Sequence, residues 1–347
     1  MSTDPLFVSD LRASSDTITF HRQSLVFDCL SLIYVLEDPY AQRCLEGGVD
    51  AANVTFAAEG EDWDGFLRTT ETALDRIEAS PYLLLATCAD DVYAAKAQGK
   101  LAVIPGTQGS DMIGRDIYRV ELMHRLGFRY FGPAYTGATL FCDGCGETRD
   151  AGISFLGKDL IACLNDIDMI VDLSHVGHRS RLEIAELADH PVCTHSNAYS
   201  VCANDRNTQD ETARIIAGKG GVMGVCCLPT TVAPGKPTLE HVLDHLDHYV
   251  KLLGHEHVGV GFDFVEAYKE RHFSGEGKHT PPKWRTLRPD IFGTVEDFFT
   301  ETYPRGIESI RLFPNFTQGL LDRQYGEAQA EAFIGGNWLR HFQSVVG

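Results

Sequence analysis

Residues 169–178 read MIVDLSHVGH. A run of Met, Ile, Val and Leu stops on a polar cluster, and His175 stands where a buried strand would leave the core. Short apolar runs bounded by polar turn residues suit strands that are covered on both faces, as in a parallel sheet. The pattern recurs at 24–30 (SLVFDCL), 48–57 (GVDAANVTFA), 100–106 (KLAVIPG), 128–135 (FRYFGPAY), 191–196 (PVCTHS), 221–229 (GVMGVCCLP) and 257–264 (HVGVGFDF), which makes eight strands in all.

Amphipathic stretches separate these runs. In RDIYRVELMHRLG (115–127) the residues Ile117, Val120, Leu122 and Met123 fall near one face and Gly127 closes the segment. GKDLIACLNDID (157–168) and RSRLEIAELADH (179–190) repeat the pattern. Alternating strand and helix predicts an α/β protein, a (β/α)8 TIM barrel rather than an antiparallel sandwich. We expect residues 1–20 to be an N-terminal extension and 21–347 a single barrel domain. Residues 265–295 are the one long irregular stretch, read as a cover over the barrel mouth. In TLEHVLDHLDHYVKLLG (238–254), His241, His245 and His248 are read as part of a solvated helix face, far from any site.

Composition narrows the partners. The formal net charge of −19, with no cluster of Lys and Arg, argues against nucleic acid. The first twenty residues have neither a basic nor an apolar leader segment, the C-terminal NWLRHFQSVVG is not a hydrophobic tail, and no run reaches the length of a membrane span. The expectation is a cytoplasmic protein with a small-molecule substrate and no membrane partner; a homo-oligomer stays open. Ten cysteines are scattered, several inside apolar runs, as reduced thiols are. Cys142 and Cys145 form a C-x-x-C in FCDGCGE, but no second pair completes a structural zinc set.

In a barrel of this kind catalytic side chains project from the C-terminal strand ends, which converge on one face. Those ends supply Asp28 and Cys29, then Gln108, Tyr135, His175, His195 and Asp263. A lone strand-end histidine is most often structural, but two closing consecutive strands, with an aspartate closing the eighth, point to a shared site. Imidazole and carboxylate are ligands that a borderline cation such as zinc prefers.

The strings VDLSHVGHRS, THSNAYSVCANDRNTQDE, GKGGVMGV, HVGVGFDF and FPNFTQGLLDRQYGEAQAEAFIGGNWLRHF together resemble the membrane (renal) dipeptidase family of the amidohydrolase superfamily, in order from about residue 20 to the C-terminus. That resemblance implies a (β/α)8 metallopeptidase with a two-metal site: an H-x-D pair after strand one, a bridging Glu after strand three, histidines after strands five and six, and an Asp after strand eight. His175, His195 and Asp263 match the last three. At the H-x-D position FDCLSL places Leu30 and Leu32, and Gln108 stands where the bridging Glu belongs. Tyr135 falls near a family histidine that polarises the substrate carbonyl, and Arg206 matches the arginine that pairs with the substrate carboxylate.

The resulting expectation is a divergent dipeptidase-like hydrolase of a dipeptide or small amide bearing a carboxylate. Its metal ligands would be His175 and His195, with Gln108 as a weak third. Asp263 would be the base, Tyr135 the oxyanion donor and Arg206 the carboxylate clamp. The cofactor is zinc or another divalent metal, at most one per chain, or none. Two other readings stay open: a metal-independent lyase or isomerase, and a non-catalytic binding protein on the same barrel.

Overall fold

A strand with no solvent side must be apolar on both faces, and the eight runs become such strands. They are Phe27–Leu32 (β1) and Ala51–Ala57 (β2), then, past a short extra strand Leu83–Leu85 (β3), Leu101–Thr107 (β4), Tyr130–Phe131 (β5), Ile170–Asp172 (β6), Pro191–Val192 (β7), Met223–Val225 (β8) and Val258–Val260 (β9). Every residue of β2 and β4 is buried. The structure, a computed structural model, describes residues 11–274, 283–300 and 303–347.

All pairings are parallel, in the order β1-β2-β4-β5-β6-β7, with β8-β9 as a second sheet. β2 covers one edge of β4 from Ala102 to Thr107, so the other edge is shared: β3 takes Leu101 to Val103, and β5 takes Gly106 and Thr107. A parallel bridge from Cys193 to Met223 links the two sheets. The last seam is stitched by a side chain, because the backbone N–H of Phe262 beyond β9 donates to Asp28 Oδ1 of β1 at 2.9 Å. The expected (β/α)8 barrel is therefore present, with β3 as an addition that three leucines inside SPYLLLATC did not announce.

The GGNWLR segment closes the far side of β9. The fully buried Trp338 donates from Nε1 to the Val260 carbonyl at 2.9 Å, while Asn337 Nδ2 donates to the carbonyls of Val258 at 2.8 Å and His255 at 2.7 Å. Gly259 permits this approach, since a Cβ there would lie 2.3 Å from Trp338 Nε1.

Three features differ from the sequence reading or refine it. The helix Ser15–Gln23 spans the boundary drawn at residue 20, and its buried His21 bridges Thr317 Oγ1 at 2.7 Å and the Gly47 carbonyl at 2.9 Å. Residues 265–295 are not irregular where described: they hold the helices Glu266–Ser274, Lys283–Leu287 and Pro289–Phe292, and Val295 opens another to Thr300. His245, expected on a solvated face, is fully buried in the helix Leu239–Leu253, because its Nδ1 accepts from the Ala198 N–H at 3.1 Å and its Nε2 donates to the Val232 carbonyl at 2.8 Å. Among the described residues no helix is long and apolar enough to cross a membrane.

Candidate active site

β6 ends at Asp172 and β7 at Val192, and each is followed three residues later by a histidine. Equal offsets from neighbouring parallel strands bring the two rings together: His175 Nε2 lies 3.0 Å from His195 Nε2. Asp172 sets this register. Its Oδ1 accepts from Ser174 N (3.1 Å), Ser174 Oγ (2.6 Å) and Thr194 N (3.0 Å), and its Oδ2 accepts from Thr194 Oγ1 (2.6 Å). Ser174 Oγ in turn accepts from the His195 N–H at 3.1 Å. With the Thr194 proton given to Asp172, the Thr194 oxygen accepts from His195 Nδ1–H at 2.6 Å, which leaves His195 Nε2 with a bare lone pair aimed at His175.

The end of β7 also depends on close backbone approach. A Cβ at Gly224 would lie 1.9 Å, and at Gly261 2.0 Å, from the Thr194 carbonyl oxygen, so β8 and the residue after β9 can press against the residue before His195 only as glycine.

Burial holds both imidazoles well below their usual pKa, and the buried guanidiniums of Arg206 and Arg181 push the same way. Both rings are therefore neutral. His175 stacks on Tyr135, centroids 4.2 Å apart, and Cys145 N donates to the His175 carbonyl at 2.8 Å. That gives the C-x-x-C segment a supporting place beneath His175. Its thiols are buried and free, and burial pushes Cys142 up to about 12 and Cys145 upward too, the opposite of a reactive pair.

A cavity open to solvent is lined by Gln108, Tyr135, His175, Arg206 and Asp263, with Leu32 on its wall. His195 lies behind His175 and is fully buried. Five of the six side chains given a role from sequence thus meet at one opening, and the sixth, His195, faces His175. Asp263 holds a positive φ of 59°, a backbone region that few L residues other than Asn and Asp adopt. Desolvation pushes its carboxyl up to about 7, against the pull of Arg206 and with the help of Asp172.

Arg206 is 2% exposed. Its Nη1 donates to the Ser174 carbonyl, while Nε and Nη2 have no hydrogen-bond partner. It is not a local salt bridge, since Asp205 pairs with Arg288 at 2.9 Å and Asp210 with His248 at 2.9 Å. Its backbone is held by Arg181, a residue that sequence reasoning missed. Arg181 is fully buried and donates to the carbonyls of Leu173 (3.0 Å), Asn207 (2.8 Å), Ser174 (3.3 Å) and Arg206 (3.4 Å). Nothing in RSRL marks it, because its role is a tertiary one.

A family model described as membrane dipeptidase (peptidase family M19) matches residues 38–272, more than half of the chain. The chain belongs to this family. Within the M19 family it is 28% identical to dipeptidase tcpJ of Claviceps purpurea over 314 residues, covering 87% of this chain and 64% of that protein. It is also 33% identical over 189 residues to the uncharacterized dipeptidase C965.12 of Schizosaccharomyces pombe, covering 51% and 45%. The chain thus spans less than two thirds of the length of these curated relatives. Among solved structures, an amidohydrolase from Pseudomonas aeruginosa superposes with a TM-score of 0.80 at 25% identity, over 95% of this chain and 99% of that one.

M19 enzymes are metallopeptidases, and this donor set departs from the two-metal arrangement that the family resemblance implies. Leu30 is fully buried, Leu32 lines the cavity, and neither binds a cation. Asp28 does not rebuild that corner, because its carboxylate accepts from Phe262 N and from Ser31 Oγ (3.4 Å), and burial pushes its pKa up to about 7. Among the described residues no three His, Cys, Asp or Glu side chains converge as a metal cluster. Two metals do not fit. The facing imidazole nitrogens do fit one cation, at a spacing suited to two ligands of the same ion, with Gln108 in the same cavity wall as the neighbouring polar group.

Proposed function

We propose that this M19 protein hydrolyses a dipeptide or another small amide that carries a carboxylate, with at most one divalent cation such as zinc. The observation that carries the reading is Arg206, a buried guanidinium with two unpartnered nitrogens on the wall of a cavity that also holds His175 and Asp263. Guanidinium recognises carboxylate through paired charge-assisted hydrogen bonds, and a desolvated one without a partner favours an anionic ligand.

Arg206 holds the substrate carboxylate and so fixes the amide against the strand ends. Asp263 takes a proton from water as the water oxygen bonds to the amide carbon. The Tyr135 hydroxyl donates to the carbonyl oxygen as negative charge gathers there, and the C–N bond then breaks with the proton passing from Asp263 to the leaving nitrogen. His175 and His195, with Gln108, would hold the cation, which would supply Lewis-acid polarisation of the carbonyl when bound.

The test combines metal analysis with kinetics on dipeptides and N-acyl amino acids. We expect up to one zinc or manganese per chain, lost in His195→Ala. Arg206→Gln should raise KM for carboxylate-bearing substrates by about tenfold or more, the worth of a charge-assisted pair. Turnover that persists unchanged in protein stripped of metal would keep the hydrolase and remove the cation from it. No turnover of any such amide, with or without added metal, would remove the hydrolase altogether.

A further inference from the structure

The helix Lys283–Leu287 and the residues that follow it border the cavity on fastenings that come from three separate strand ends. From beyond β2, Glu59 Oε2 accepts from Trp284 Nε1 at 2.7 Å, and Glu59 Oε1 accepts from Lys283. From beyond β5, the Gly146 carbonyl accepts from Arg288 Nη1 at 2.9 Å. From beyond β7, Asp205 accepts from Arg288 Nη2 at 2.9 Å, and Asn204 Nδ2 donates to the Ile291 carbonyl at 2.9 Å. Asn204 Oδ1 also accepts from the Arg206 N–H at 2.9 Å, so the segment that carries the guanidinium is the one that holds the residues after the helix in place.

Trp284 is part of the cavity wall and only 8% exposed. Its benzo ring lies in a slot that exists because two residues have no side chain: a Cβ at Gly137 would lie 2.9 Å from Cζ2, and one at Gly146 2.7 Å from Cζ3. Both glycines belong to the loop that follows Tyr135 and folds back on itself, with Gly146 N donating to the Thr136 carbonyl at 2.8 Å and Gly144 N to the Gly137 carbonyl at 3.0 Å. An indole held at its N–H and along its benzo edge cannot turn aside without losing the bond to Glu59 or the packing on this loop. With the substrate carboxylate on Arg206 and the scissile carbonyl at Tyr135, the group on the far side of that carbonyl is the acyl residue. Trp284 packs on the residues next to Tyr135, and so stands beside the acyl residue.

We infer that Trp284 is the specificity-determining residue for the acyl part of the substrate, a fixed stop that limits its bulk, and that Arg288 is a positioning residue that keeps the stop in place. This rests on the reading of Arg206 as the carboxylate clamp and Tyr135 as the carbonyl donor. The substrate class is then narrowed to dipeptides and N-acyl amino acids with a small acyl residue.

The dipeptides Gly-Gly, Ala-Gly, Leu-Gly and Phe-Gly vary the acyl residue alone. The ratio of kcat/KM for Phe-Gly to that for Ala-Gly should rise by about tenfold or more in Trp284→Ala, the scale on which an apolar pocket discriminates by bulk. Trp284→Leu should raise it by less, and Trp284→Phe should keep most of the wild-type selectivity. Arg288→Gln should raise the ratio in the same direction, whereas a merely structural loss would lower both rates together. Calorimetric titration with levulinate, the ketone isostere of N-acetylglycine, and with its phenyl analogue gives a readout that needs no turnover. A shift of relative affinity toward the phenyl ketone in Trp284→Ala and Trp284→Leu, in variants that keep the wild-type circular dichroism spectrum, supports the stop even if no amide is hydrolysed. Unchanged relative affinity in both variants, with both ketones weakened alike by Arg206→Gln, leaves the clamp standing and overturns the role of Trp284. Binding that is indifferent to Arg206→Gln removes the clamp, and the orientation on which the role of Trp284 depends goes with it.

Discussion

The Asp172 carboxylate accepts four hydrogen bonds, all from the two segments that carry the histidines. Three donors face Oδ1 and one faces Oδ2, so in Asp172→Asn the amide nitrogen is tolerated better at the Oδ2 position. There it cannot accept the Thr194 hydroxyl proton. The hydroxyl must turn toward His195 Nδ1, and the imidazole proton moves to Nε2, the nitrogen that faces His175. Asp172→Asn should therefore cost about 2–3 kcal/mol of stability and block the His195 lone pair. Urea denaturation reads the first effect, and nitrogen shifts of labelled histidine read the second. Unchanged stability with an unchanged tautomer would show that the carboxylate does not set the ring. His175, His195 and Asp263 were legible because each ends an apolar run. Asp172 and Arg181 were not, since their importance lies in bonds between segments that sequence does not place side by side.

At the scale of elements, legibility followed the length and purity of the apolar pattern. β4 stood out as seven buried residues, whereas β3 has three and borrows half an edge of β4. The helices after Val265 were hidden by charged, glycine- and proline-containing sequence, so that their contribution of Lys269 and Arg285 to the cavity could not be read in advance. The helix Leu239–Leu253 hides a different property. His245 is buried and neutral within it, and burial lowers its pKa to about 4; His21, in the helix Ser15–Gln23, is likewise lowered to about 4. A histidine whose folded pKa is depressed below the unfolded value of 6.5 binds its proton more readily in the unfolded chain. Its contribution is fully present above pH 6.5 and is lost as the pH falls through 4. Each ring should cost about 3 kcal/mol across that window. Urea midpoints measured from pH 7.5 to pH 4 should fall, and His245→Gln should make the fall shallower. An equal slope in the variant would mean that His245 does not carry the linkage.

Over the whole molecule two fields of opposite sign act on the ligand. The net charge of −19 acts from the entire surface, whereas Arg206 acts only within the cavity. Screening separates them. At 10 mM salt the Debye length is about 30 Å, comparable with the size of the molecule, and at 150 mM it is about 8 Å, closer to the dimensions of the cavity. For a charge of this size spread over a protein of 38.3 kDa, Coulomb's law in water puts the repulsion of a single negative charge at the surface on the order of 1–2 kcal/mol at the lower salt and roughly half that at the higher. A dianion feels twice as much. Raising the salt should therefore increase kcat/KM for a diacid severalfold, more than for a monoacid, while a substrate with no net charge should respond little. Measuring kcat/KM between 10 and 150 mM KCl for one of each charge checks this. A decline with salt for the diacid would mean that the field of the Arg206 guanidinium reaches beyond the mouth and governs the encounter.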